Sequence, residues 1–319
     1  MIKKAGFTMA EILLSLTIIG VVAAITLPSL MANINERTWN TQRKALYARM
    51  SQAIAMMPQL NGYGTLTEDE SGSVTADTAA ETFLTDGLSK VLKINNICDS
   101  EHLADCGVPT SYTNLAGSTG LTWPIDIKGL NSTFVGFSSS YSWGNPSYSQ
   151  INVKAAAFET QNGETIALYY NPNCIDKPED VESFYAQPSM CANFVYDLNG
   201  NKGPNTVGKD IGFMTALYSY NTSVVAPMPL ATNVSVDGVG LEQSVASSVC
   251  TTHDSDSRLP NIDELTAMFV NEKFLGIAHG AFWSGSVVST DLAWYQEFSV
   301  GSRVMHTRSD TLAVRCVKR

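Results

Sequence analysis

The oxygen-bearing side chains of Asp197, Asn199 and Asn201 stand at alternate positions, with Asp210 further on, in Asp197-Leu198-Asn199-Gly200-Asn201-Lys202-Gly203-Pro204-Asn205 and Gly208-Lys209-Asp210. Oxygens at the first, third and fifth positions of a loop are what a hard cation such as calcium takes. Two positions depart from an EF-type loop. Lys202 stands where glycine makes the turn, and Gly208 stands where a bidentate glutamate closes the site. Asp210 supplies the missing carboxylate only if the loop folds back. A second reading needs no ion, because Asn, Gly and Pro at this density also shape a tight turn. The sequence leaves both open.

Catalysis has less to work with. His102, His253, His279 and His306 show no metalloprotease-type spacing. Asp254 and Asp256 beside His253 read as a solvated polar loop. Cys98, His102 and Cys106 follow one another at four-residue steps, which puts three metal-binding groups on one helical face. That is one ligand short of a structural zinc site. The expectation is a non-enzymatic protein with no cofactor, calcium being the one candidate ion.

One carboxylate is out of keeping with its surroundings. Residues 12–31 form a run of 20 residues without a charge, and as a helix rising 1.5 Å per residue this spans a bilayer core of roughly 30 Å. Lys3 and Lys4 precede it and hold that end in the cytoplasm. Glu11 stands where apolar character begins, and an ionised carboxylate near hydrocarbon costs about 2.5 kcal/mol or more unless it is paired. Thr8-Met9-Ala10-Glu11 fits the T-x-x-E capping box, which accounts for the position locally.

Lys3-Lys4-Ala5-Gly6-Phe7-Thr8-Met9-Ala10-Glu11 ahead of the apolar run resembles the class III signal of type IV prepilins and pseudopilins. The resemblance is strong over about residues 1–50. It implies cleavage after Gly6 by a prepilin peptidase, N-methylation of Phe7, and retention of the apolar segment as an anchor. It also implies that Glu11 pairs with the Phe7 ammonium of a neighbouring subunit and sets the register of assembly. The implied location is a bacterial inner membrane, single-pass with an extracytoplasmic head, and then an extracellular or periplasmic filament. The implied partners are other pilin or pseudopilin subunits and an inner-membrane assembly platform.

The remaining elements follow from pattern. Pro28 is expected to kink the stem helix. Residues 32–57 continue as an amphipathic helix, with Trp39, Leu46, Met50, Ile54 and Met57 on its apolar stripe and Pro58 and Asn61-Gly62 at its end. Residues 79–94 read as a helix weakened by Gly87. The aromatics of 107–149, among them Trp123, Tyr141, Trp143 and Tyr148, are read as cross-strand partners or as sugar-stacking groups. Strands are expected at 151–160 and 164–170, joined by a type I′ turn at Asn162-Gly163, and again at 194–198 and 211–218. The loop from Asp197 to Asp210 resembles one that recurs in pilin-like proteins. Pro227 and Pro229 mark an extended linker.

Beyond that linker, Arg258-Leu259-Pro260, with Asn261 as N-cap and Glu264 at the capping-box position, is followed by Phe282-Trp283-Ser284 and Val314-Arg315-Cys316-Val317. These blocks, over about residues 236–319, resemble a C-type-lectin-like module of bacterial surface adhesins. That resemblance implies pairing of Cys250 with Cys316, and makes Trp283 and Arg315 framework residues first.

Six cysteines, Cys98, Cys106, Cys174, Cys191, Cys250 and Cys316, in a chain with an export signal make three disulfides the default, with pairing of neighbours the simplest of fifteen connectivities. The formal charge is −10, and loss of the two leader lysines takes it to −12, so no basic surface favours nucleic acid. The expected fold is α+β. It comprises a leader (1–6), a membrane and assembly helix (7–57), a pilin-like antiparallel head (58–225) and a lectin-like module (226–319). The expected function is a subunit of a type IV pilus or type II secretion pseudopilus, of minor type given the size of the head. The alternative is a displayed adhesin whose C-terminal module binds a glycan or protein.

Overall fold

The computed structural model describes residues 8–61, 77–130, 152–171, 189–219, 222–227, 231–232 and 240–318. The protein is α+β, an N-terminal helix followed by antiparallel sheets. Gly6, Phe7, Tyr141, Trp143, Tyr148 and Cys174 lie outside the described residues. Helix α1 runs Met9–Asn61 and includes Pro28 without a break. The chain divides within it into two compact units, Met1–Ala45 and Leu46–Arg319. In the first unit Met9–Thr26 is long and apolar enough to cross a membrane, and none of it is buried. In the second unit the helix continues with Leu46, Met50, Ala53, Ile54 and Met57 buried, the stripe that the sequence pattern marks.

Where the sequence suggests one helix over 79–94, the chain makes α2 (Ala79–Thr82), a π turn (Phe83–Gly87) and a 3-10 turn (Leu88–Lys90). It then enters strand β1 (Ile94–Cys98). Two contacts explain the change. A Cβ on Gly87 would lie 2.8 Å from the Met57 methyl, so a larger residue there would have to move the end of the Met57 side chain. Ile94 onward pairs with the sheet, and ladder hydrogen bonds replace helical ones.

Short strands β2 (Ser111–Tyr112), β3 (Leu121–Thr122) and β4 (Asp126–Ile127) precede the long ones. Those are β5 (Val153–Thr160), β6 (Thr165–Tyr170), β7 (Ser189–Asp197), β8 (Ile211–Ser219) and β9 (Thr222–Pro227). The main antiparallel sheet has the order β1-β5-β6-β7-β8-β9, with β4 also on β5. The expected strands are present, and β9 replaces the proposed linker by pairing with β8. The β5–β6 turn is not type I′. Gly163 donates to the Thr160 carbonyl, Thr160 donates to Glu164, and Gly163 is left-handed while Asn162 is not. This is the three-residue loop with a glycine bulge.

Strands β5 and β6 are buried on both faces, which explains their nearly continuous apolar sequence. On one face α2 runs over β5 and β6, and Phe83 stacks on Tyr170 at 4.6 Å. Arg49 of α1 donates to Glu164, the residue just before β6. The other face, with Val153, Ala155, Ala157, Ala167, Tyr169, Val195, Ile211 and Phe213, shares one core with residues of the C-terminal third.

That third begins with β10 (Ala231–Thr232), α3 (Gln243–His253), β11 (Ser257–Arg258), α4 (Ile262–Val270) and α5 (Glu272–Leu275). It ends with the meander β12 (Ala281–Val287), β13 (Leu292–Glu297) and β14 (Ser302–Thr307), then β15 (Cys316–Lys318), which lies between β10 and β11. Phe274 of α5 packs against Tyr112, Trp123 and Phe213 at ring distances of 5.0, 4.9 and 5.6 Å. Asn193 of β7 and Asn271 exchange amide hydrogen bonds of 2.9 and 3.0 Å, and both are 0 % exposed. The sheet and the C-terminal third are therefore one packed unit.

Candidate functional site

The loop leaving β7 gathers three of the four oxygen-bearing residues. Asp197, 1 % exposed at the strand end, accepts the Asn199 backbone N–H at Oδ1 (3.1 Å). Asn199 turns its amide nitrogen to the Gly203 carbonyl (2.8 Å), and the Gly203 N–H goes to Asn205 Oδ1 (3.1 Å). Asp210 does fold back. It is 0 % exposed and takes the backbone N–H groups of Asn205 and Thr206, both at 2.8 Å, one on each oxygen. Asn205 is left-handed with φ 49°, a conformation that asparagine tolerates better than most residues. Asn201 is exposed and does not join the group.

Two oxygens in this loop are buried without a hydrogen-bond partner, Asp197 Oδ2 and Asn199 Oδ1. A buried acceptor left unsatisfied costs roughly 1–3 kcal/mol. Burial pushes the Asp197 carboxyl up to about 7. The backbone N–H groups of Asn199 and Gly200 favour its charged form, and the Asp210 carboxylate opposes it. Gly200 is left-handed with φ 61°, a conformation in which an L side chain is strained.

A pH dependence follows. The Asp197 carboxyl holds its proton to a higher pH in the folded chain than unfolded, so its contribution to stability is full below about pH 4 and is lost as pH rises through about 7. In calcium-free buffer with chelator, Asp197→Asn should gain on the wild type between about pH 4 and 7 and level off above. The gain should approach at most about 1.4 kcal/mol per pH unit. Urea unfolding at each pH measures it, and parallel curves for the two proteins would contradict it.

At the other end, Thr8 and Glu11 form the capping box. The Thr8 N–H and hydroxyl both donate to Glu11 Oε2 at 2.9 Å, and the Glu11 N–H reaches Thr8 Oγ1 at 3.3 Å. Glu11 is exposed, and both of its accepted bonds fall on one carboxylate oxygen.

The three C-terminal blocks converge on framework. Arg258 makes two bonds to the Glu264 carboxylate, 2.7 and 2.6 Å, while Glu264 and Asn261 cap α4 reciprocally. Trp283 is 0 % exposed, in a cluster with Leu259, Val314 and the Cys250–Cys316 disulfide, and its indole N–H donates to the Leu241 carbonyl. Trp123 is likewise buried, so it is no exposed sugar platform. The disulfide Cys98–Cys106 consumes both sulfurs of the Cys-His-Cys pattern, and His102 turns to Asp99 at 2.8 Å. Cys191 is also disulfide-bonded.

His279 faces Glu272, His306 faces Asp310, and Asp254 binds Lys318, so each meets a different partner. Among the described residues no cluster of three or more His, Cys, Asp or Glu side chains could hold a metal. The Asp197 loop offers two carboxylates with an amide oxygen instead. Sequence reading missed that Asp210 is the clamp of this loop, and only the backbone geometry reveals it. No model of a known protein family matches the chain, and no curated protein matches it.

Proposed function

We propose that the protein is a subunit, of minor type, of a type IV pilus or type II secretion pseudopilus, processed after Gly6 and polymerised through its N-terminal helix. The observation that carries this reading is the Glu11 carboxylate at the head of an apolar helix none of whose membrane-length segment is buried. A soluble protein gains nothing by exposing such a surface, whereas a bilayer or a bundle of like helices covers it. The disulfides suit a head outside the cytoplasm.

Glu11 serves two partners in this account. Thr8 occupies Oε2, and the Phe7 ammonium of a neighbouring subunit, created by cleavage, takes the remaining oxygen. An unpaired carboxylate in such a bundle is costly, so the pair selects the axial register in which every Glu11 finds an ammonium.

The test is the N-terminus of the protein recovered from membranes of the native host. Sequencing or intact mass should give a chain that starts at Phe7 and carries one added methyl. A start at Met1, or beyond the apolar segment, contradicts the reading.

A further inference from the structure

We propose that Glu272 and His279 form a pH-sensitive clasp that tightens the junction between the main sheet and the C-terminal third as pH falls below neutrality. Glu272 opens α5, and the chain around it is where the two halves meet. Asn271 is paired with Asn193 of β7, the Lys273 carbonyl accepts the Tyr112 hydroxyl at 3.0 Å, and the Phe274 carbonyl accepts the Leu115 N–H at 3.0 Å. Within this seam Glu272 Oε2 is buried and has no hydrogen-bond partner. A buried acceptor left bare is costly, and a charged one more so.

His279 Nδ1 stands 3.7 Å from that oxygen and 3.3 Å from the Phe298 carbonyl. The carbonyl needs one hydrogen on Nδ1, which a neutral imidazole supplies. The attraction to Glu272 needs the second proton as well, and imidazole is the side chain that ordinarily takes one up between pH 8 and 5. Backbone bonds hold both partners in place: the Phe298 N–H donates to the Gly280 carbonyl at 2.9 Å, and the N–H groups of Gly276 and Ile277 close on the Glu272 carbonyl at 2.8 and 3.1 Å. The cations that act on Glu272 are His279 from the loop before β12, Lys128 from the segment after β4, and Lys273 on its own helix. Burial pushes the Glu272 carboxyl above the usual carboxylate range, and these three draw it back down. Ammonium groups stay charged across this pH range, so the imidazole is the member that switches. When it gives up its proton, the buried carboxylate loses a counter-charge and the seam loosens.

A double-mutant cycle on the full chain in detergent tests this, by urea unfolding of the wild type, Glu272→Gln, His279→Gln and the double variant at about pH 6 and about pH 8. The His279 side chain is 70 % exposed and Glu272→Gln keeps the shape of the side chain, so all four proteins should fold. Asp197 titrates over the same range but is common to all four, and its contribution cancels in the cycle. The unfolding constants should show a coupling of about threefold between the two residues at the lower pH, the size expected of a partly exposed ion pair, and of less than about 1.5-fold at the higher. Equal coupling at the two pH values, or none at the lower one, overturns the proposal.

Discussion

A chain ended after Pro227 should not fold, although it keeps every strand of the main sheet. The face bearing Val153, Ala155, Tyr169, Val195 and Phe213 would lose Ile262, Leu265, Phe269, Phe274, Trp294 and Phe298, which share its core. At about 1.5–3 kcal/mol for each large apolar side chain, the loss is comparable to the entire stability of a domain, about 5–15 kcal/mol. Insolubility, or a soluble chain without a cooperative melt, is the expected outcome. A cooperative melt near that of the full head would refute the single unit. Asn271→Ala probes the same junction more gently: it strands the buried Asn193 amide, at roughly 1–3 kcal/mol. For the same reason deletion of 226–319 is a poor test of adhesion, since it damages the head as well as removing a candidate binding surface.

The sequence made the two ends of this arrangement legible and hid the middle. Thr8 and Glu11, and Asn261 and Glu264, declare helix starts by type and spacing, and both capping boxes are present. Strand positions were readable because β5 and β6 carry dense apolar runs. What pattern alone could not show is long-range. A proline-bearing stretch looks like a linker until β8 offers it a partner, and Gly87 looks like a flaw in a helix until Met57 is seen against it. The Arg258, Trp283 and Cys316 blocks were recognisable by type; Trp283 and Cys316 are buried in one cluster, and half-buried Arg258 is paired with Glu264.

The Asp197 loop was half legible. Spacing named Asp197, Asn199, Asn201 and Asp210 together; Asp197, Asn199 and Asp210 take part in the loop's hydrogen bonds, and Asn201 is exposed. The difference arises because the loop is not a regular turn. The left-handed Asn205 and the double clamp by Asp210 redirect the chain, and neither leaves a signature in residue spacing.

Glu11 gives the most direct test, because its two roles can be separated chemically. Glutamine preserves the capping box but carries no charge. Thr8→Ala removes the cap's hydroxyl and keeps the carboxylate. If assembly depends on an ion pair in a low-dielectric bundle, breaking it costs about 3–5 kcal/mol, or roughly 10²–10⁴-fold in incorporation. The measurement is the amount of each variant in sheared filaments relative to its amount in the membrane. The account predicts that Glu11→Gln reaches the membrane normally and is nearly absent from filaments, while Thr8→Ala enters them. Equal incorporation of Glu11→Gln and wild type would contradict it.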